Sequence, residues 1–127
     1  MREVELFAPP EYWRLTDEER DRYRCGPGRG VLERLVPENI YGLCITPACG
    51  IHDFMYFIGE DDYDKTDADD VLLNNMVRII EAHTTNQVLL CLRLRRAKTY
   101  YQAVKVFGGP AFWNSKNKAS EVGLVLI

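Results

Sequence analysis

Cys49-Gly50-Ile51-His52-Asp53-Phe54-Met55-Tyr56, followed further along by Ala68-Asp69-Asp70-Val71-Leu72, decides how the rest of the chain is read. Thr46-Pro47 ahead of the first stretch is a helix start, a capping hydroxyl followed by proline at the first helical position. The helix it opens is expected to run to about Ile58. With Ile51, Phe54, Met55, Phe57 and Ile58 it is apolar nearly all round, which predicts burial. His52 and Asp53 are about 100° apart on such a helix and aim at different neighbours. Tyr56, at i+4, shares the face of His52. Buried polar groups of this kind are costly unless each finds a partner. The second stretch offers one. Positions 69, 72, 73, 76 and 80 share one face of the next helix, and four of them are Leu72, Leu73, Met76 and Ile80. Asp69 therefore points into the core, while Asp67 and Asp70 fall with Asn74 on the polar side. A histidine and a tyrosine from an antiparallel neighbour would satisfy that carboxylate.

Working outward, Gly59-Glu60-Asp61-Asp62 ends the first of these helices, and an acidic loop is expected to reach Lys65. Thr66 then caps a helix of about 67–83, with Asp69 as its reciprocal partner three positions on. Thr84-Thr85-Asn86 separates it from a helix of about 87–107 carrying Leu89, Leu90, Leu94, Ala97, Tyr101 and Val104, which Gly108-Gly109-Pro110 ends. Upstream, residues 1–15 with Pro9-Pro10 read as an extended arm. Thr16-Asp17-Glu18-Glu19 opens a short helix to about Arg24, stopped by Cys25-Gly26-Pro27-Gly28-Arg29-Gly30. The segment 31–45 is mixed, with Pro37 opening a turn or short helix. The tail 111–127 holds Phe112-Trp113 and a closing apolar run from Val122, read as a short strand. No repeat and no linker interrupt 1–127, which predicts one mainly helical domain.

Composition narrows the function. The chain has 16 Lys and Arg against 19 Asp and Glu, a net charge of −3. No basic patch or nucleic-acid motif is present, so nucleic acid is not an expected partner. No apolar run approaches the roughly 18 residues of a membrane span. Met1-Arg2-Glu3-Val4-Glu5 lacks an apolar signal core. The expectation is a chain made as a soluble protein, cytoplasmic or phage-associated. Cys25, Cys44, Cys49 and Cys91 form no C-x-x-C pair and no zinc spacing. They are either buried thiols or, in an oxidising destination, one or two disulfides.

The glycine loop offers main-chain carbonyls to a hard cation, and Asp53 could complete a calcium site. Loop, Cys49-x-x-His52-Asp53-x-x-Tyr56 and Ala68-Asp69, in that order, resemble the phospholipase A2 superfamily over about residues 23–76. The Gly-Pro-Gly loop and the Ala-Asp start look more like its short viral and prokaryotic members. The resemblance implies an all-α fold in which two long antiparallel helices carry the His/Asp site beside a calcium loop. It implies that His52 is the general base that activates water against the sn-2 ester of a glycerophospholipid. Asp69 would hold its tautomer and Tyr56 would brace Asp69. Calcium would be held by Asp53 and the carbonyls of Arg24, Gly26 and Gly28, with the Gly26 amide on the oxyanion. The partner so implied is a phospholipid or membrane surface. Family members with disulfides link loop to helix where Cys25 and Cys49 stand. Arg29 departs from the glycine many members have, and most disulfides of the secreted enzymes are missing.

Plainer readings stand beside these. The alternative function is a catalytically silent phospholipase-like module of a phage or mobile element that binds lipid or protein. A third is a structural domain keeping the His-Asp pair for stability. Cys44 and Cys91 read as buried thiols, His83 as a helix-end residue, and Arg93, Arg95, Arg96 and Lys98 as a solvated face. Tyr100, Tyr101, Phe112 and Trp113 read as core.

Overall fold

The computed structural model describes residues 4–21 and 39–113. Its order is α1 (Pro10–Trp13), α2 (Asp17–Asp21), β1 (Asn39–Ile40), β2 (Leu43–Cys44), α3 (Thr46–Ile58), α4 (Asp62–His83), α5 (Gln87–Phe107) and α6 (Gly109–Trp113). The described chain is mainly helical, as the hydrophobic periodicity predicts. No described helix is long and apolar enough to cross a membrane. The glycine loop Cys25–Gly30, with Arg24, Gly26 and Gly28, lies outside the described residues, as does the expected strand from Val122.

Helices α3, α4 and α5 form the frame. Going up α3 the partners go down α4: His52 meets Asp69, and Lys65 lies by the Tyr56 ring. The pair is therefore antiparallel. The same holds for α4 and α5, where Asp70 meets Tyr101 and Lys65 meets Val104 and Lys105. Between these helices lie Ala48, Cys49, Ala68, Leu72, Met76, Ile80, Ala97 and Val104, all at most 2 % exposed. Each large apolar side chain buried this way contributes about 1.5–3 kcal/mol. A smaller cluster of Tyr12, Ile51 and Phe54 ties α1 to the other side of α3.

Helix ends follow local chemistry, with some corrections. Thr16 and Glu19 form a capping box at the expected helix start, each side chain accepting the other's amide at 3.2 and 2.9 Å. Asn86 caps α5 through the Leu89 amide. Thr46, however, is already helical, and its hydroxyl accepts from the Cys44 thiol rather than capping α3. Helix α4 begins at Asp62, not 67. Asp61 caps it by accepting from the Asp64 amide at 2.9 Å, and the acids of the expected loop form its first turn, where the helix dipole favours them. Thr66 lies inside the helix with its hydroxyl turned back to the Asp62 carbonyl, so it has no reciprocal partner in Asp69. The turn between α3 and α4 needs Gly59, since a Cβ there would meet the Phe112 ring at 2.8 Å. Phe57 and Ile58 are 62 % and 42 % exposed, so α3 is not buried all round.

The arm is not extended throughout, because α1 interrupts it. Its first part is tied to α4 by Asn75, which is fully buried. The Asn75 side chain accepts from the Phe7 amide and donates to the Phe7 carbonyl, both at 2.8 Å. The segment before α3 is a hairpin, with Asn39 opposite Cys44 and Ile40 opposite Leu43. Its two turn residues, Tyr41 and Gly42, have φ of 46° and 81°, the left-handed pair that a two-residue hairpin requires. Arg93 is not on a solvated face. It is buried and donates to the carbonyls of Ile40 and Tyr41 at 3.2 and 2.8 Å and to Thr84 Oγ1 at 2.8 Å, so it fastens the hairpin to α5. Cys44 and Cys91 are exposed thiols rather than buried ones. Phe112 is buried, and Tyr100 and Trp113 pack against the core as expected.

Arg93→Met should cost about 2 kcal/mol or more in urea unfolding, because hairpin carbonyls lose their donor. Arg96→Met, at an exposed residue whose guanidinium reaches the Tyr41 hydroxyl and ring, should change stability by less than about 1 kcal/mol. Equal effects would show that Arg93 is not the fastening.

Candidate functional site

Helix α3 sets His52 and Tyr56 one turn apart on its buried face, with ring centroids 4.1 Å apart. Helix α4 presents Asp69 opposite them. His52 Nε2 lies 2.7 Å from Asp69 Oδ1, and the Tyr56 hydroxyl donates to the same oxygen at 2.6 Å. The other oxygen, Oδ2, accepts from Lys65 Nζ at 2.8 Å. His52 and Asp69 are each 1 % exposed. Among the described residues no buried side-chain nitrogen or oxygen is left without a partner, and both oxygens of Asp69 are paired within the core.

The placement expected for Asp69, with His52 and Tyr56 as its neighbours, is thus found. Asp67 and Asp70 are exposed, and Asp70 accepts from the Tyr101 hydroxyl at 2.7 Å, which lifts Tyr101 to about 12. Asp53, the expected metal ligand, is half-buried on α3 next to His52. Cys49 is buried on the same helix. Arg24, Gly26, Gly28 and Cys25 lie outside the described residues. Among those described, no three His, Cys, Asp or Glu side chains converge as a metal site would require.

Lys65 is the member that the sequence reading missed. Its signal was available: a lysine four residues before a core-facing aspartate shares its helical face. Starting the helix at 67 hid that spacing by placing Lys65 in a loop.

Charge states follow from the environment. Burial pulls His52 below its usual 6.5; the hydrogen bond and charge of Asp69 pull upward, and Lys65 adds to the lowering. Burial pushes Asp69 up, but the hydrogen bonds from His52, Lys65 and Tyr56 prevail and hold it below 3.8. Burial, then the bond to Asp69, drives Tyr56 well above its usual 10.0. At neutral pH the cluster is a neutral imidazole, a carboxylate, a phenol and an ammonium. An ionised carboxylate only accepts, so His52 carries its proton on Nε2 and Nδ1 holds the basic lone pair. Such an arrangement can orient a general base and offset the charge of an imidazolium.

Comparison with protein-family models, curated proteins and solved structures finds no match to this chain.

Stability should fall as pH drops. Below 6.5 the unfolded chain protonates its histidine while folded His52 resists. Below 3.8 the unfolded chain protonates its aspartate while folded Asp69 stays ionised, which adds a further loss. Chemical unfolding from pH 8 to pH 4 should show the first decline, and His52→Asn should flatten it. Asp69→Asn should cost about 3–5 kcal/mol at neutral pH, since it strands the Lys65 ammonium, against about 0.5 kcal/mol or less for exposed Asp67→Asn. Similar costs at the two positions would be inconsistent with the network.

Proposed function

We propose that the protein is a phospholipase A2-type lipid hydrolase that cleaves the sn-2 ester of glycerophospholipids with His52 as general base. The observation that carries this reading is the desolvated His52–Asp69–Tyr56 cluster, in which Nε2 is committed to the carboxylate and Nδ1 is left as the base. The order of the motifs and the antiparallel pairing of α3 with α4 support it, as does the resemblance of residues 23–76 to that superfamily.

On this reading Nδ1 of His52 takes a proton from a water molecule as its oxygen adds to the ester carbonyl carbon. The Asp69 carboxylate offsets the imidazolium charge that results. When the tetrahedral species collapses, the glycerol oxygen leaves and takes the proton from Nδ1, so that a fatty acid and a lysophospholipid are released and the ring is neutral again. Tyr56 and Lys65 keep Asp69 ionised and aligned throughout.

Asp53 fits a calcium ligand in kind, being a hard, half-buried oxygen donor on the residue after the base. The carbonyls of Arg24, Gly26 and Gly28 would be its companions, and the Gly26 amide would face the oxyanion. Calcium, when bound, supplies polarisation of the ester carbonyl and charge stabilisation of the oxyanion. A second reading, a silent lipid- or protein-binding module, draws on the burial of the cluster and the pairing of Asp69 with His52, Tyr56 and Lys65, which a purely structural polar core would also show.

Fatty-acid release from mixed phospholipid vesicles, with calcium and with chelator, separates these readings. The expected result is calcium-dependent release that His52→Asn lowers by about 100-fold or more while the variant stays folded. Release unaffected by His52→Asn, or none from the wild-type protein, rejects the hydrolase. Millimolar calcium should also raise the melting temperature, and Asp53→Asn should abolish that rise.

A further inference from the structure

Lys65 is 9 % exposed, and its ammonium is held on three sides. Besides Asp69 Oδ2 at 2.8 Å it donates to the main-chain carbonyls of Val104 and Lys105, each at 3.3 Å. An ammonium has three protons, so its donors are matched by these acceptors. Both carbonyls belong to the last turn of α5, at the negative end of the helix dipole, and that of Val104 also accepts from the Gly108 amide at 2.7 Å. The same end of α5 closes over Tyr56: a Cβ on Gly108 would lie 2.7 Å from the Tyr56 hydroxyl. Both groups that support Asp69, the lysine and the tyrosine, are therefore bounded by a third helix that contributes no side chain to the His-Asp pair.

A carboxylate held by one oxygen alone can turn about its Cβ–Cγ bond and misalign that oxygen. Here the second oxygen is pinned through Lys65 to the backbone of α5. We propose that Lys65 is a positioning residue that locks the Asp69 carboxylate against the C-terminal carbonyls of α5, so that Oδ1 alone faces His52 and Tyr56. The kinetic consequence rests on the hydrolase reading; the locking of the His52 ring does not.

The test is nitrogen-15 NMR on the full chain at one neutral pH, together with the vesicle assay. In the wild-type protein the His52 Nε2 proton should resonate far downfield and exchange slowly. The Lys65 ammonium should also exchange slowly and show coupling through its hydrogen bond to the Asp69 carboxyl carbon. Lys65→Met keeps the length of the stem and removes the charge. It should move the His52 proton upfield, speed its exchange by about tenfold or more, and lower kcat by a similar factor with KM unchanged. Lys65→Arg should restore much of each, because a guanidinium can bond a carboxylate and a carbonyl at once. A folded Lys65→Met with the wild-type His52 signal and only a lower melting temperature would overturn the proposal, leaving Lys65 as a cap for α5. If Lys65→Met does not fold, the wild-type ammonium decides: coupling to Asp69 supports the lock, and a fast-exchanging ammonium overturns it. Absence of fatty-acid release from the wild-type protein rejects the hydrolase, while the two resonances still decide the role of Lys65.

Discussion

The carboxylate of Asp69 is the constraint around which the described residues are arranged. An ionised group 1 % exposed has lost its water and must be repaid by hydrogen bonds. Three come from side chains, two of them on α3 and one on α4 itself. Meeting that demand fixes the axial register of α3 on α4. A slip of one residue would rotate His52 by about 100° and remove it from the carboxylate. The apolar contacts of Leu72, Met76 and Ile80 favour burial of the face, but they tolerate small shifts in a way that hydrogen bonds at 2.6–2.8 Å do not.

The third helix enters through its backbone. Helix α5 brings terminal carbonyls to Lys65 and a glycine to Tyr56, and through Arg93 it also holds the hairpin that leads into α3. One helix thus stabilises the entrance of α3 at one point and the partners of Asp69 at another. Disturbing α5 far from His52 would be felt at the site along two routes, both made of hydrogen bonds to main-chain oxygens.

Much of this was legible in the residues. Periodicity alone placed Asp69 on the stripe with Leu72, Met76 and Ile80, and the i+4 spacing placed Tyr56 beside His52. Both inferences depend only on helical geometry, which is insensitive to the exact ends of a helix. What failed turned on the start of α4, whereas the ends expected for α5 at 87 and 107 are found. Thr66 has the chemistry of a cap, and Asp61 has it too; it is Asp61 that accepts the Asp64 amide, and Thr66 lies a turn inside the helix. Shifting that boundary cost the reading of Lys65. Arg93 reads as solvated because nothing local reveals that a hairpin turn will lie across it. The hairpin itself has a weak signature, since Tyr41 adopts a left-handed conformation that tyrosine seldom takes.

The clamp between Asn75 and the arm has a consequence for how freely the chain can change. Asn75 reads the amide and the carbonyl of Phe7, groups that almost every residue carries, and it is blind to the side chain between them. Replacing Phe7 alters a ring stacked under Arg78 but leaves both hydrogen bonds possible. Only proline, lacking the amide proton, would remove one. Replacing Asn75 removes both together and leaves the Phe7 main chain to find other partners. Identity is therefore demanded on the helix and relaxed on the arm it holds: the arm is free to drift in sequence while its path stays put.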